Sequence, residues 1–139
     1  GALDVPVVVH CCAAEPPVRL LAGAGFAAIG VDATLPSITG PAAETAMLDA
    51  LGEVWDAGTP LMLGLVPALE PDAEPGVRDL ARRAFDLADR LGFDHTRLGE
   101  LVIPPPACGL AGATPRWARR AMALTRELGK AFVDPPETW

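Results

Sequence analysis

Positive charge is scarce in this chain of 139 residues. Its 11 Lys and Arg stand against 18 Asp and Glu, which gives a formal net charge of -7 at pH 7. A protein that binds nucleic acid or an anionic membrane needs a basic patch, because binding depends on releasing the counterions of the phosphates. The composition therefore excludes both kinds of partner.

Long uncharged apolar runs are also missing. A membrane helix needs about 18 to 20 consecutive apolar residues, and no stretch reaches that length. The N-terminus lacks the charged and then apolar segments of a signal peptide. We therefore expect a soluble, cytoplasmic protein. Because the chain starts with Gly1 instead of Met and soon enters an apolar run, we also expect a fragment of a longer protein.

Cysteine is rare as well. The chain has 3 Cys, an odd number, and Cys11 and Cys12 are adjacent. This pattern does not suit the disulfide framework of a small secreted domain. It favours thiol or metal chemistry instead.

Apolar and helical segments alternate along the chain. Hydrophobic residues make up 50% of it, enough for a packed core in a single domain over residues 1–139. The alternation predicts an α/β fold of four consecutive βα units with parallel strands. We predict strands at residues 5–9, 26–31, 60–66 and 98–103, and helices at about 16–24, 42–57, 74–91 and 114–132. Thr39 or Gly40 is expected to cap the second helix.

Candidate ligands follow three of these strands. Periodicity leaves an open doubly wound sheet and part of a barrel as alternatives, and both bind ligands at the C-terminal strand ends. His10 and Cys12 end the first strand, Asp32 ends the second, and Cys108 follows the fourth. The alternation of a strand puts His10 and Cys12 on one face and turns Cys11 away to pack. Two thiols, an imidazole and a carboxylate suit tetrahedral Zn²⁺.

Other residues have weaker claims to this site. Glu15 is an alternative oxygen ligand, but it lies in a loop and is the second choice. His95 precedes the fourth strand, at the opposite end of the sheet, and is interpreted as a surface residue. Trp55 and Trp117 are interpreted as packing residues. A His-x-Cys pair alone is a weak signal, because Cys often serves as a small hydrophobic residue.

Several segments resemble the C-terminal catalytic barrel of the cobalamin-independent methionine synthase family. They are His10-Cys11-Cys12 after a Val-rich strand, the apolar strand that ends at Asp32, and Pro106-Ala107-Cys108-Gly109-Leu110 before a helix with Trp117-Ala118-Arg119. The resemblance spans almost the whole chain and implies the C-terminal half of a (β/α)8 TIM barrel. It also implies that His10, Cys12 and Cys108 hold a zinc ion that binds the thiol of homocysteine, with a methyltetrahydrofolate as methyl donor.

The sequence departs from that family at two positions. The family's carboxylate ligand is a Glu, whereas Asp32 is one methylene shorter. The family also has a histidine for proton transfer after the third strand, in an Asp-x-His-Ser motif, whereas residues 64–68 here read Gly-Leu-Val-Pro-Ala. No general acid or base is therefore assigned, and methyl transfer from another donor, or a lost activity, stays open.

Three hypotheses follow for the chain. The first is a fragment of a zinc-dependent methyltransferase that acts on a homocysteine-like thiol, completed by the remainder of the barrel in the parent chain. The second is an inactive domain whose four ligands close a structural zinc site. In the third, the chain binds no metal and self-associates to cover the edges of its sheet.

Overall fold

One parallel sheet organises the chain, whose computed structural model describes residues 4–41 and 43–135. The strands β1 (Val8–Cys11), β2 (Ala28–Val31), β3 (Leu61–Leu63) and β4 (Val102–Ile103) lie in the order β1-β2-β3-β4. The helices are α1 (Val18–Gly23), α2 (Thr45–Asp56), α3 (Val77–Leu91), α4 (Thr96–Leu101) and α5 (Pro115–Val133). The predicted α/β class, with four parallel strands alternating with helices, is confirmed.

The hydrophobic core lies between one face of the sheet and the helices. Ile29 of β2 and Leu61 of β3 are fully buried and belong to the same cluster as Trp55 and Trp117. Both tryptophans are fully buried, which confirms that they are packing residues. When parallel strands are adjacent in sequence order, right-handed connections place all the connecting helices on the same side of the sheet. The order β1-β2-β3-β4 is of this kind.

The opposite face of the sheet has much less cover. The strand register aligns His10, Gly30, Met62 and Ile103 in one row across the four strands, and Val8 lies two residues before His10 on the same side of β1. Val8 and Ile103 are 50% and 51% exposed. We call these five residues the open face.

Residues 98–103 differ most from the sequence prediction. Only Val102 and Ile103 form a strand, and α4 occupies the preceding residues. Asp94 favours this helix, because its Oδ1 accepts a hydrogen bond of 2.9 Å from the backbone N–H of Thr96. Leu98 is fully buried, and a Cβ at Gly99 would lie 2.8 Å from the carbonyl oxygen of Phe132. The glycine therefore lets α4 approach α5 closely.

The start of α2 also differs from the prediction. The helix begins at Thr45 after Glu44, which makes no side-chain capping bond. The expectation that Thr39 or Gly40 caps it was wrong: Thr39 Oγ1 donates to the carbonyl oxygen of Ala33 at 2.8 Å instead. The predicted first residue, at position 42, lies outside the described residues. No helix in the described part of the chain has the length and apolar character needed to cross a membrane.

Candidate metal centre

Three side chains from distant parts of the sequence meet above the C-terminal end of the sheet. One ligand atom each from His10, Cys12 and Cys108 lies within 4.8 Å of the other two. The two sulfurs are 3.7 Å apart, with the Cys108 thiol donating to Cys12. All three residues are exposed. Three of the four predicted ligands are thus brought together.

The spacing of these atoms suits a single metal ion. Zinc bonds to cysteine sulfur at about 2.3 Å in tetrahedral geometry, so two sulfurs on one ion lie roughly 3.8 Å apart. The observed separation of 3.7 Å fits this value, and zinc accepts nitrogen as well as sulfur. The His10, Cys12 and Cys108 cluster could therefore hold a metal ion.

Strand β1 positions two of the ligands. His10 pairs with Gly30 of β2 in the parallel register, and Cys12 directly follows the last strand residue. Because side chains alternate along a strand, His10 and Cys12 share the exposed side. Cys11, between them, is half-buried and does not belong to the cluster. This agrees with the prediction that it faces away from the site.

Cys108 reaches the cluster from the other edge of the sheet. In a flat sheet β1 and β4 would be about 14 Å apart, since neighbouring strands are spaced by about 4.8 Å. The loop after β4 shortens this distance by crossing the end of β3. There Val66 forms a bridge with Pro106, and its carbonyl oxygen accepts a bond of 2.8 Å from the N–H of Ala107.

Two glycines make the convergence possible, Gly30 in β2 and Gly64 directly after β3, and neither was predicted from the sequence. A Cβ at Gly30 would lie 2.8 Å from Nδ1 of His10, and one at Gly64 would lie 2.6 Å from Cα of Ala107. Real Cβ atoms essentially never come this close to other atoms. Glycine inside an apolar strand often marks close approach of another group, and this signal was available in the sequence.

The segment at residues 64–68, where the family resemblance would place a histidine, supports the loop instead. Gly64 donates to the carbonyl oxygen of Val31 at 3.0 Å, which ties the segment to β2. The carbonyl oxygen of Pro67 accepts a bond of 3.0 Å from Nε1 of Trp117. These two contacts tie the segment after β3 to β2 and to α5.

Asp32 and Glu15 are not members of the three-residue cluster. Oδ1 of Asp32 accepts bonds from the N–H and Oγ1 of Thr34, at 2.9 and 2.5 Å. Strands β1 and β2 pair Cys11 with Val31. If this register continued by one residue, Asp32 would lie beside Cys12. Glu15 is exposed in the loop before α1. A role for Asp32 as the fourth ligand remains a prediction.

The two thiols influence each other electrostatically. The hydrogen bond with Cys108, followed by repulsion from its charged form, raises the pKa of the Cys12 thiol. Two neighbouring thiols resist carrying negative charge together, because like charges disfavour ionisation. A cation between the sulfurs would remove this penalty.

A concavity of about 330 Å³ opens beside the cluster. His10 and Cys108 line it together with Val8, Met62 and Pro105, so its wall is mainly apolar. A larger concavity, about 420 Å³, lies between the loop before α1 and helix α2 and contains none of the three ligands. The smaller one is therefore the relevant space for a ligand of the metal.

His95 lies apart from this site, as predicted. It is exposed, its ring stacks on Phe85 at 4.7 Å between centroids, and its Nε2 lies 2.8 Å from Oδ1 of Asp89. These contacts account for the residue as part of the surface around α3.

Comparison of the chain with protein-family models, curated proteins and solved structures found no match. The fold and the site define a parallel α/β protein with a His-Cys-Cys cluster able to hold a metal ion. Its function has to be argued from that cluster and its surroundings.

Proposed function

We propose that the chain is a zinc-dependent domain for methyl transfer to a small aliphatic thiol such as homocysteine. The observation that carries this proposal is the convergence of His10, Cys12 and Cys108 to within 4.8 Å on an exposed rim. Only the thiolate form of a thiol is a good nucleophile, and an ordinary thiol has a pKa of about 8.5. A zinc ion bound here would keep a coordinated substrate thiol deprotonated at neutral pH.

Access to the cluster supports a catalytic site over a structural one. Zinc that takes part in a reaction has three protein ligands and an open position, whereas a structural zinc is closed by four. Here three protein ligands converge and all three are exposed. We propose that Asp32 occupies the fourth position only until a substrate thiol displaces it, because the strand register would set Asp32 beside Cys12.

The apolar concavity supports a thiol with a short aliphatic chain. The concavity has a volume of about 330 Å³ and is lined by His10 and Cys108. Val8 and Met62 would offer apolar contact to the methylene groups of such a substrate, whose sulfur would bind a zinc ion held by His10, Cys12 and Cys108. The methyl donor is proposed to be a methyltetrahydrofolate. Another methyl carrier is the alternative, because residues 64–68 lack the histidine that serves proton transfer in the methionine synthase family.

The open face supports a half-barrel architecture. Its apolar residues Val8 and Ile103 are half exposed, whereas the opposite face is covered by helices. In a closed (β/α)8 barrel this face would be filled by side chains of the other strands. We propose that the remainder of a barrel, or a second copy of the chain, covers it.

X-ray absorption at the zinc edge tests the catalytic proposal. Zinc-loaded protein is measured alone, with homocysteine, and with methionine as the control, because methionine has the same chain but no free thiol. We expect homocysteine to raise the number of sulfur neighbours from two to three and methionine to leave it at two. An unchanged spectrum with homocysteine would contradict substrate binding at the metal and favour a closed, structural site.

A further inference from the structure

We infer that Cys12 and Cys108 form a reversible disulfide in the metal-free protein when it meets a small disulfide oxidant such as glutathione disulfide. Their sulfurs are 3.7 Å apart although 96 positions separate the residues in sequence. A disulfide requires the sulfurs to approach to about 2.0 Å. The fold has thus already brought together the ends of a long loop, and only a local adjustment remains.

Both cysteines can make that adjustment. Cys12 lies just after the end of β1, and Cys108 lies in the loop between β4 and α5. Even a Cβ added at Gly109, next to Cys108, would meet no atom of residues 4–41 and 43–135 within 4 Å. Both thiols are exposed, so a small oxidant can reach either of them.

The third thiol should take no part. Cys11 is half-buried and lies on the side of β1 opposite to Cys12. A bond between Cys11 and Cys12 would close a strained ring of adjacent residues within the strand end. The structure therefore assigns one disulfide and one remaining thiol to the oxidised chain.

The reaction is a thiol-disulfide exchange in two steps. One of the two cysteine sulfurs attacks the small disulfide, forms a mixed disulfide and releases one small thiol. The other cysteine sulfur then attacks the mixed disulfide, forms the Cys12–Cys108 bond and releases the second small thiol. The two protein thiols are oxidised, the small disulfide is reduced to two thiols, and the two thiol protons pass to the released molecules.

Oxidation would close the metal site, because both sulfurs that hold the ion are used in the bond. This consequence rests on the proposed function, whereas formation of the disulfide rests only on the thiol pair. Metal and oxidant would then compete for the same two atoms. The site would be active when reduced and loaded, and protected from further sulfur oxidation when empty.

Mass spectrometry of alkylated protein tests the inference. Metal-free protein is incubated with glutathione disulfide, alkylated and digested with trypsin. We expect one alkylated thiol per chain and a cross-link between the peptide ending at Arg19 and the peptide of residues 98–116. Cys11→Ser should keep the cross-link, and Cys108→Ser should lose it and carry glutathione instead. Reduction should restore all three thiols.

Two outcomes would overturn the inference. One is a metal-free protein that keeps three alkylatable thiols or stops at glutathione adducts. The other is a cross-link that disappears in Cys11→Ser, which would place the bond on Cys11 instead of Cys12. A separate sample loaded with zinc distinguishes this inference from the proposed function. If the disulfide forms but zinc never binds, the inference holds and the proposed function fails. If zinc binds through two sulfurs but no disulfide forms, the inference alone fails.

Discussion

At the scale of single residues, the lack of a side chain at Gly30 leaves the space that the His10 ring occupies. Gly30→Ala adds a methyl group 2.8 Å from Nδ1 of His10, so the imidazole must move. We expect a loss of zinc affinity of about tenfold to a hundredfold, the range found when a group that orients a metal ligand is changed. Competition with a chromophoric chelator measures the affinity.

Gly23→Ala is the matched control, because a Cβ there meets no atom of the described part of the chain within 4 Å. It should bind zinc as the unchanged protein does. Equal affinities for Gly30→Ala and the unchanged protein would show that the position of the His10 ring is unimportant to binding.

Individual ligands were more predictable from sequence than the residues that let them meet. His10, Cys12 and Cys108 follow from strand ends, from the two-residue alternation and from the family resemblance. The need for glycine at positions 30 and 64 depends on which groups pass above them, namely His10 and Ala107. A glycine in an apolar strand is a local signal of close approach, but strand pairing and the loop that crosses the sheet decide which group approaches it.

At the scale of elements, the contact between the end of β3 and the Cys108 loop is the critical one. Gly64→Ala places a Cβ 2.6 Å from Cα of Ala107 and 3.0 Å from the carbonyl oxygen of Val31. Both are backbone atoms, which yield less readily than a side chain. We expect a loss of about 1–3 kcal/mol in the free energy of unfolding, as for other overpacked sites, together with weaker zinc binding.

Urea unfolding and zinc titration of the same Gly64→Ala sample check this prediction. Gly58 offers a comparison of a different kind. A Cβ there would have no atom of the described residues within 4 Å, but the positive φ of 79° makes alanine costly. Gly58→Ala should therefore lower stability and leave zinc affinity unchanged. If Gly64→Ala behaved in the same way, the contact with Ala107 would not position Cys108.

An ion pair between α1 and α2 should make stability depend on pH. Both nitrogens of the Arg19 fork donate to Glu53, at 2.7 and 2.8 Å, and this lowers the pKa of Glu53 below its ordinary 4.5. Because the pKa of Glu53 is lower in the folded state, the pair stabilises the fold fully above pH 4.5. This stabilisation is lost as the pH falls from 4.5 through the lowered pKa. Because the pair is exposed, we expect a small effect.

Glu53→Gln should therefore lower the melting temperature slightly at pH 7, and the difference should vanish in acid. Thermal unfolding followed by circular dichroism at several pH values measures it. Glu15→Gln removes the same charge from a loop and serves as the control. A difference between Glu53→Gln and the unchanged protein that grows as the pH falls would have the wrong sign for this pair.

Periodicity predicted the larger elements well and the small ones poorly. The stripe of Leu80, Ala84 and Leu87 in α3 is buried, as its spacing indicated. Four of the six residues of α4, at positions 98–101, were instead assigned to a strand, because Leu98, Leu101 and Val102 form a short apolar run that suits either structure. The Asp94 side chain and the packing of Gly99 against α5 decide for the helix.

At the scale of the whole molecule, the open face should govern association. Val8 and Ile103 are half exposed on one side of a sheet in which the outer edges of β1 and β4 pair with no other strand of the described residues. We expect the isolated chain to self-associate at micromolar concentration and above. Replacing both residues with Lys should shift it toward the monomer in sedimentation velocity experiments.

The control for this experiment changes exposed apolar residues on helices. Leu20 and Val133 are 71% and 74% exposed in α1 and α5, and replacing both with Lys adds the same charge away from the open face. This variant should associate as the unchanged chain does. If it were the more monomeric of the two, association would proceed through the helices.

The sequence was enough to predict parallel βα units but not to choose between an open sheet and part of a barrel. Alternating strands and helices indicated parallel βα units, and periodicity left both an open sheet and a barrel possible. The order β1-β2-β3-β4 and the one-sided helical cover depend on long-range pairing, for example of Ile29 with Leu61. Such pairing has no local signature, because a buried strand is apolar whichever neighbour it has.

Zinc content and sulfur coordination, measured together, test the central claim that His10, Cys12 and Cys108 bind one metal ion. Reduced protein is equilibrated with zinc, freed of excess metal, and examined by elemental analysis and X-ray absorption beside Cys108→Ser and Cys11→Ser. We predict one zinc per chain with two sulfur neighbours in the unchanged protein and in Cys11→Ser, and loss of tight binding in Cys108→Ser. Zinc bound equally by Cys108→Ser, or held without sulfur, would contradict the account.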